Sequence, residues 1–229
     1  MNSIKKTLLA SAAFLVMAAP AFAFVPAPAP LGDSAYITQV GDKNIADVDQ
    51  KAGDVKNVAR INQGTARDHA TEEKAFVKQS GRGGNSSLVN QTGKNDVAQV
   101  DQKGSNGSAT VTQSGSGRHD GRNLAIIEQG RESRNEQASI EQDGGRNFGL
   151  IDQKGSDDKA TIKQKGHDNK ATVRQDDSFG ATALVTQTGD DNTARVDQSG
   201  HRAYAEVSQT GNNNHASVDQ DASHRSGRR

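Results

Sequence analysis

Glutamine recurs along this chain in a way that points to amide chemistry: a side-chain carbonyl accepting a hydrogen bond from the side-chain NH2 of the next copy. The residues are Gln39, Gln50, Gln63, Gln79, Gln91, Gln102, Gln113, Gln129, Gln142, Gln153, Gln164, Gln175, Gln187, Gln198, Gln209 and Gln220. Two residues before each stands a β-branched side chain: Ile37, Val48, Ile61, Val77, Val89, Val100, Val111, Ile127, Ile140, Ile151, Ile162, Val173, Val185, Val196, Val207 and Val218. Two residues before that is Ala in fourteen of the sixteen copies, with Ser87 and Gly149 as exceptions. A buried glutamine is tolerable only when its amide is satisfied. A stack of identical amides satisfies itself, as in the side-chain ladders of cross-β structures.

A second chemistry is that of carboxylates placed just before the even-numbered glutamines: Asp49, Asp101, Glu128, Asp152, Asp197 and Asp219, with Lys78 and Arg174 interrupting the row. Like charges on neighbouring strands repel. The row could therefore act as gatekeepers that slow premature association, bind cations, or simply keep a face wet. Other motifs are weak. His69, His119, His167, His201, His215 and His224 lack metal-ligand spacing. Asp143-Gly144-Gly145 occurs once and is no calcium repeat. Asn85-Ser86-Ser87 and Asn90-Gln91-Thr92 fit a glycosylation pattern that short sequences often match by chance. No nucleophile–base pairing and no phosphate loop stands out, so neither an enzyme nor a cofactor is expected.

The elements that position the amides follow from the spacing. Positions i, i+2 and i+4 share one face of a strand, not of a helix. Ala, Val/Ile and Gln thus line one face, and mostly polar residues such as Asp47, Arg60, Thr110 and Thr172 line the other. Glycines two residues after a glutamine, such as Gly41, Gly104 and Gly189, supply positive φ for a sharp turn. Asn44, Asn147, Asn169, Asn192 and Asn214 are expected to close that turn in the left-handed region, bonded to their own backbone.

The intervals between glutamines are 11, 13, 16, 12, 11, 11, 16, 13, 11, 11, 11, 12, 11, 11 and 11 residues. Eleven is one strand and one turn. Both 16-residue intervals follow odd-numbered strands, and every 12- or 13-residue interval follows an even-numbered one. That parity is expected of two strands per layer with two distinct turn edges. The fold class predicted is all-β: a β-solenoid of about eight layers, stacked about 4.8 Å apart, with odd strands in one parallel sheet and even strands in another. A single layer buries too little to offset the ordering of its backbone, so stability has to come from neighbouring layers. The pattern runs from Ala35 to Gln220 without an evident cap. Open strand edges at both ends template the addition of another chain.

Composition agrees with a thin core. Aromatic content is 3%, there is no cysteine, and 24 residues are glycine; such a chain would be disordered without its repeats. The start reads as a secretory signal peptide over residues 1–23: Lys5 and Lys6, an apolar run, then Ala21-Phe22-Ala23. Without Lys5 and Lys6 the 28 basic residues fall to 26 against 28 acidic ones, no footprint for nucleic acid. Residues 24–34 form a short Pro-rich segment, 35–220 the repeats, and 221–229 a basic, disordered tail.

The unit Gln-x-Gly-x-x-Asn-x-Ala-x-Val/Ile-x-Gln, clearest over Gln39–Gln50, Gln164–Gln175, Gln187–Gln198 and Gln209–Gln220, resembles the curlin repeat of bacterial curli subunits. The resemblance implies a secreted subunit that polymerises into functional amyloid on Gram-negative cells, serving adhesion and biofilm matrix. It also implies partners: other copies of the chain, a second curlin subunit, an outer-membrane secretion pore and a periplasmic chaperone. Two alternatives remain open from the residues, a minor nucleating or anchoring subunit and a monomeric surface-binding solenoid. This chain departs from the familiar pattern in having more strands, more charged outward positions, and a short Pro-rich segment after the signal.

Overall fold

The computed structural model describes residues 33–51, 56–65, 70–81, 83–115 and 122–222. The expected signal peptide over residues 1–23, most of the Pro-rich segment, and residues 223–229 of the tail lie outside them. In chain order the strands are β1 (Ser34–Gln39), β2 (Gly41–Asp42), β3 (Ile45–Gln50), β4 (Val58–Gln63), β5 (Ala70–Thr71), β6 (Lys74–Gln79), β7 (Ser86–Thr92), β8 (Val97–Gln102), β9 (Ser108–Ser114), β10 (Leu124–Gln129), β11 (Gln137–Gly145), β12 (Phe148–Gln153), β13 (Lys159–His167), β14 (Lys170–Phe179), β15 (Thr182–Thr188), β16 (Thr193–His201), β17 (Tyr204–Thr210) and β18 (His215–Ala222). The array therefore begins one residue before, and ends two residues after, the span Ala35–Gln220 that the core pattern marks. Main-chain pairing takes in the residues flanking each core triplet.

The order of strands is that of a solenoid. One eight-stranded sheet runs β1-β4-β7-β9-β11-β13-β15-β17, and a second runs β3-β6-β8-β10-β12-β14-β16-β18. All pairs are parallel, and each strand pairs with the equivalent strand of the next rung. Register is strict: Ala138, Ile140 and Gln142 stand over Ala160, Ile162 and Gln164. A one-residue slip would turn the whole triplet outward, which is why sixteen near-identical strands still find one alignment. Among the described residues one register irregularity occurs, between Gln175 and Ser178. There a 12-residue interval pushes its extra residue into a bulge, Asp177 taking φ 49°.

The core is a single line between the sheets. Ala and Val/Ile of the interior rungs are buried; Ile61, Ile127, Ile140, Ile151 and Ile162 have 0% exposure. Isoleucine is concentrated in the middle, and Gly149 answers it. A Cβ at Gly149 would lie 3.0 Å from Cγ2 of Ile140, so the exception to the alanine rule sits where the facing side chain fills the space. At the first rung Ile37 is 37% exposed, and Ala46, Val48, Ala216 and Val218 are only partly buried. Among the described residues nothing covers either end.

The glycines have two separate reasons. Gly166 has φ 118°, and a Cβ on it would meet the Gly189 carbonyl oxygen at 2.2 Å. Gly104 has no positive φ, contrary to the expectation for its position. It is required by closeness alone, since a Cβ would stand 2.4 Å from the Ser133 carbonyl oxygen. Rungs one β-spacing apart leave turns no room for side chains that point along the stack.

Candidate functional site

The glutamines of the interior rungs point inward and are buried. In the first sheet Gln39 donates through Nε2 to Oε1 of Gln63 at 2.7 Å, and the series continues to Gln209 with no break. In the second sheet the same series runs from Gln50 to Gln220, with separations of 2.7–3.1 Å. Each Nε2 carries two hydrogens, and from Gln50 onward the second one crosses the core. Gln142 donates to the Leu124 carbonyl and Gln164 to that of Phe148, where strands of the opposite sheet begin. The return crossing is made by Gln153 to Gln137 and Gln175 to Lys159. Each amide thus ties rung to rung and sheet to sheet. The cross-sheet bond has no signal in the repeat pattern, because its acceptor is a main-chain carbonyl.

The ladder has a direction. Among the described residues Gln39 and Gln50 accept from no glutamine, and Gln209 and Gln220 donate to none, although the latter pair keep their cross-sheet bonds to Thr193 and Tyr204. One end of the stack presents amide acceptors and the other amide donors.

A second ladder stands six residues before each glutamine, where Asn occurs in eight of sixteen copies. Here the structure corrects the sequence expectation. Asn147, Asn169, Asn192 and Asn214 do not take the left-handed conformation; the residue before each does, at Arg146, Asp168, Asp191 and Asn213. The asparagine turns inward. Its Oδ1 accepts from both the main-chain and side-chain N–H of the next asparagine, as Asn147 does from Asn169 at 3.1 Å each. Its Nδ2 donates onward to a glycine carbonyl, Gly166 for Asn147 and Gly189 for Asn169. At these four asparagines both faces of the turn are thereby satisfied, whereas Nδ2 of Asn57, in the equivalent position of an earlier rung, is buried without a partner.

Five copies carry an acid at this position; Asp33, at the open first rung, is half-buried and accepts from the Asn57 N–H, and the other four lie inside the stack. Glu73 and Asp96 occupy successive rungs, as the pairing of Lys74 with Val97 requires, and Glu136 and Asp158 do the same on the other edge. All four of these are buried. Burial, followed by the charge of Asp96, pushes Glu73 up to about 8. Glu136 is pushed up to about 8 by burial and then by Asp158 and Asp157. Burial raises Asp96 to about 6 against its bonds from Asn123. Asp158 is also raised by burial, restrained by its bonds from Ser178 and Ala181. Sequence reasoning passed over these acids; reading down the position six before each glutamine would have found them.

The outward carboxylates Asp49, Asp101, Glu128, Asp152, Asp197 and Asp219 fall in one row of the second sheet, with Lys78 and Arg174 in the same row. The row is partly neutralised by near neighbours. Asp101 meets Lys103 at 2.6 Å, Asp152 meets Lys154 at 3.0 Å, and Asp197 meets Arg195 at 2.5 Å. Asp49, Glu128 and Asp219 have no ion pair among the described residues. Among those residues no three His, Cys, Asp or Glu side chains are grouped to hold a metal.

The curlin-associated repeat family matches residues 134–166, 146–176, 166–200 and 189–221. These spans take in Asn147, Asn169, Asn192 and Asn214, four successive members of the asparagine ladder. No curated protein matches the chain.

Removing one ladder amide orphans its neighbours. Gln142→Leu leaves an Nε2–H of Gln113 and Oε1 of Gln164 without partners and removes the cross-sheet bond to the Leu124 carbonyl. At about 1–3 kcal/mol for each buried orphan, urea denaturation should register a loss of several kcal/mol, against a much smaller loss for Gln39→Leu at the open end. Equal effects at the two positions would contradict a cooperative ladder.

Proposed function

We propose that this curlin-repeat protein is the structural subunit of an extracellular, curli-like amyloid fibre, polymerising end to end for cell adhesion and biofilm matrix. The observation that carries the reading is the polarity of the ladder combined with end rungs that no described residue covers. The last rung of one copy offers amide hydrogens on Gln209 and Gln220; the first rung of the next offers amide oxygens on Gln39 and Gln50. Oδ1 of Asn214, which accepts from nothing further along the described chain, has the Asn44 main-chain N–H of the next copy as its natural donor. Joining copies this way repeats the contacts already made between internal rungs, and unpaired strand edges favour such addition. The curlin-repeat match supports a structural rather than an enzymatic role. Export through a secretion pore, a chaperone that delays assembly, and a second curlin subunit as nucleator belong to the same proposal.

The acidic row acts here as a brake. End-to-end stacking brings Asp219 of one copy over Asp49 of the next, two carboxylates at directly opposed positions, which is unfavourable. The junction therefore forms more slowly than its hydrogen bonding alone would allow.

Purified chain without its signal peptide, held at neutral pH, should convert to fibres with a meridional reflection near 4.8 Å. A product that stays monomeric on concentration would favour the capped, surface-binding alternative and end the fibre reading. In the same assay, replacing Asp49 and Asp219 together with Asn should shorten the lag in an amyloid-dye time course and make it less sensitive to salt. An unchanged lag would remove the brake from the account.

A further inference from the structure

The paired acids inside the turns have no part in the fibre reading, and their surroundings define what they can bind. Neither oxygen of Glu73 and neither oxygen of Glu136 has a hydrogen-bond partner, and both residues are 0% exposed. The next rung's main-chain N–H, at Asp96 or Asp158, is the compensating group beside each, and it falls outside hydrogen-bond geometry. The Asp partner in each pair is better served. Oδ1 of Asp96 accepts from the Asn123 N–H at 2.8 Å, and Oδ1 of Asp158 from the Ala181 N–H at 2.7 Å. Oδ2 of Asp158 also accepts from the Ser178 hydroxyl.

Among the described residues, the charged groups facing these sites are all acids. Glu73 lies between Asn44 and Asp96 on its own edge, and the facing strands β4 and β7 turn only uncharged residues inward: Ala59, Ile61 and Gln63, and Ser87, Val89 and Gln91. Glu136 lies between Gly107 and Asp158, with Asp157 adjacent, and the facing β8, β10 and β12 end inward on Gln102, Gln129 and Gln153. Lys74, next to Glu73, is exposed, and Lys43 pairs with Glu72 on the surface. A buried carboxylate with no cation, no hydrogen bond and an acid one rung away is held in its neutral form.

We propose that the Glu73–Asp96 and Glu136–Asp158 pairs are proton-binding sites, each capturing a proton as its two rungs close, so that the solenoid forms most readily in mildly acidic surroundings. The device works whether or not chains join end to end, because both pairs are internal to one chain.

The direction follows from linkage. Below the ordinary glutamate value of 4.5 the coil and the solenoid are both protonated at these positions, and no penalty exists. As the pH rises toward about 8 the coil gives up protons that the solenoid must keep, so folding weakens through that window. Above it the loss is complete.

The test is proton uptake in weakly buffered solution at pH 6.5 as the full chain passes from coil to β-structure, monomeric or fibrous. The wild-type chain should take up about two protons per chain more than the double variant Glu73→Gln/Glu136→Gln. The variant's urea midpoint should also fall less between pH 5 and pH 8, while the exposed control Glu132→Gln keeps the wild-type slope. Equal uptake by wild type and double variant would overturn the proposal. So would stabilisation by millimolar Ca2+ at pH 8 that the double variant lacks, since the pairs would then be cation sites. Because the readout follows β-structure rather than polymer, failure to form fibres leaves this result standing.

Discussion

A glutamine amide sealed inside a protein has three hydrogen-bonding demands: one carbonyl to fill and two hydrogens to place. In this chain a single arrangement meets them together. Oε1 accepts from the rung before, one hydrogen goes to the rung after, and the other goes to a carbonyl at the start of the opposite strand. That arrangement exists only when identical residues stand one β-spacing apart. The demand therefore fixes the register of sixteen strands, the distance between sheets and the sense in which copies can add. Apolar burial alone would not do this. A line of Ala, Val and Ile shifted by two residues would still bury alanine and valine, but it would strand the amides.

The turns obey the same constraint. A rung-to-rung spacing set by the main chain excludes side chains that point along the axis, which accounts for Gly104 and Gly166 by closeness. Polar groups at the turn then need partners that repeat at that spacing, and the asparagine column supplies them. Where the column changes to an acid the repeat loses its internal match, and a proton has to supply what the amide would have given. Outward charges are freer. They sit in solvent, three of the row's acids bond to cations on or beside their own strands, and their influence falls on how copies meet rather than on how one copy folds.

Much of this was legible in the chain itself. The i, i+2, i+4 recurrence named the strands, the parity of the intervals separated the two sheets, and the inward glutamines announced a ladder. Residues with two competing roles were harder. Asn147 and its equivalents are common left-handed turn residues, and that generic preference hid an inward hydrogen-bonding role; the left-handed position belongs to the residue before each, Arg146, Asp168, Asp191 or Asn213, of which Arg146 has no such preference. Gly104 carried the mark of a positive-φ glycine, yet its reason is steric and depends on a neighbour 29 residues away at Ser133. The cross-sheet bonds from the glutamines end on main-chain atoms, which no side-chain pattern encodes. Glu73 and Glu136 were visible as letters six residues before their glutamines but not as buried groups, since acids are rarely buried without a partner and that generic preference reads them as surface turn residues.

The central claim is that the glutamine side chains, and not only the main chain, hold the stack together. Residue-resolved hydrogen exchange of the glutamine Nε2 groups tests it most directly. Side-chain amides of Gln113, Gln142 and Gln164 should be protected to the same degree as the strand main-chain amides beside them, while Gln209 and Gln220 exchange rapidly in the unjoined chain. Fast, uniform exchange of every glutamine side chain alongside a protected main chain would show that the amides are not laddered, and would contradict the account.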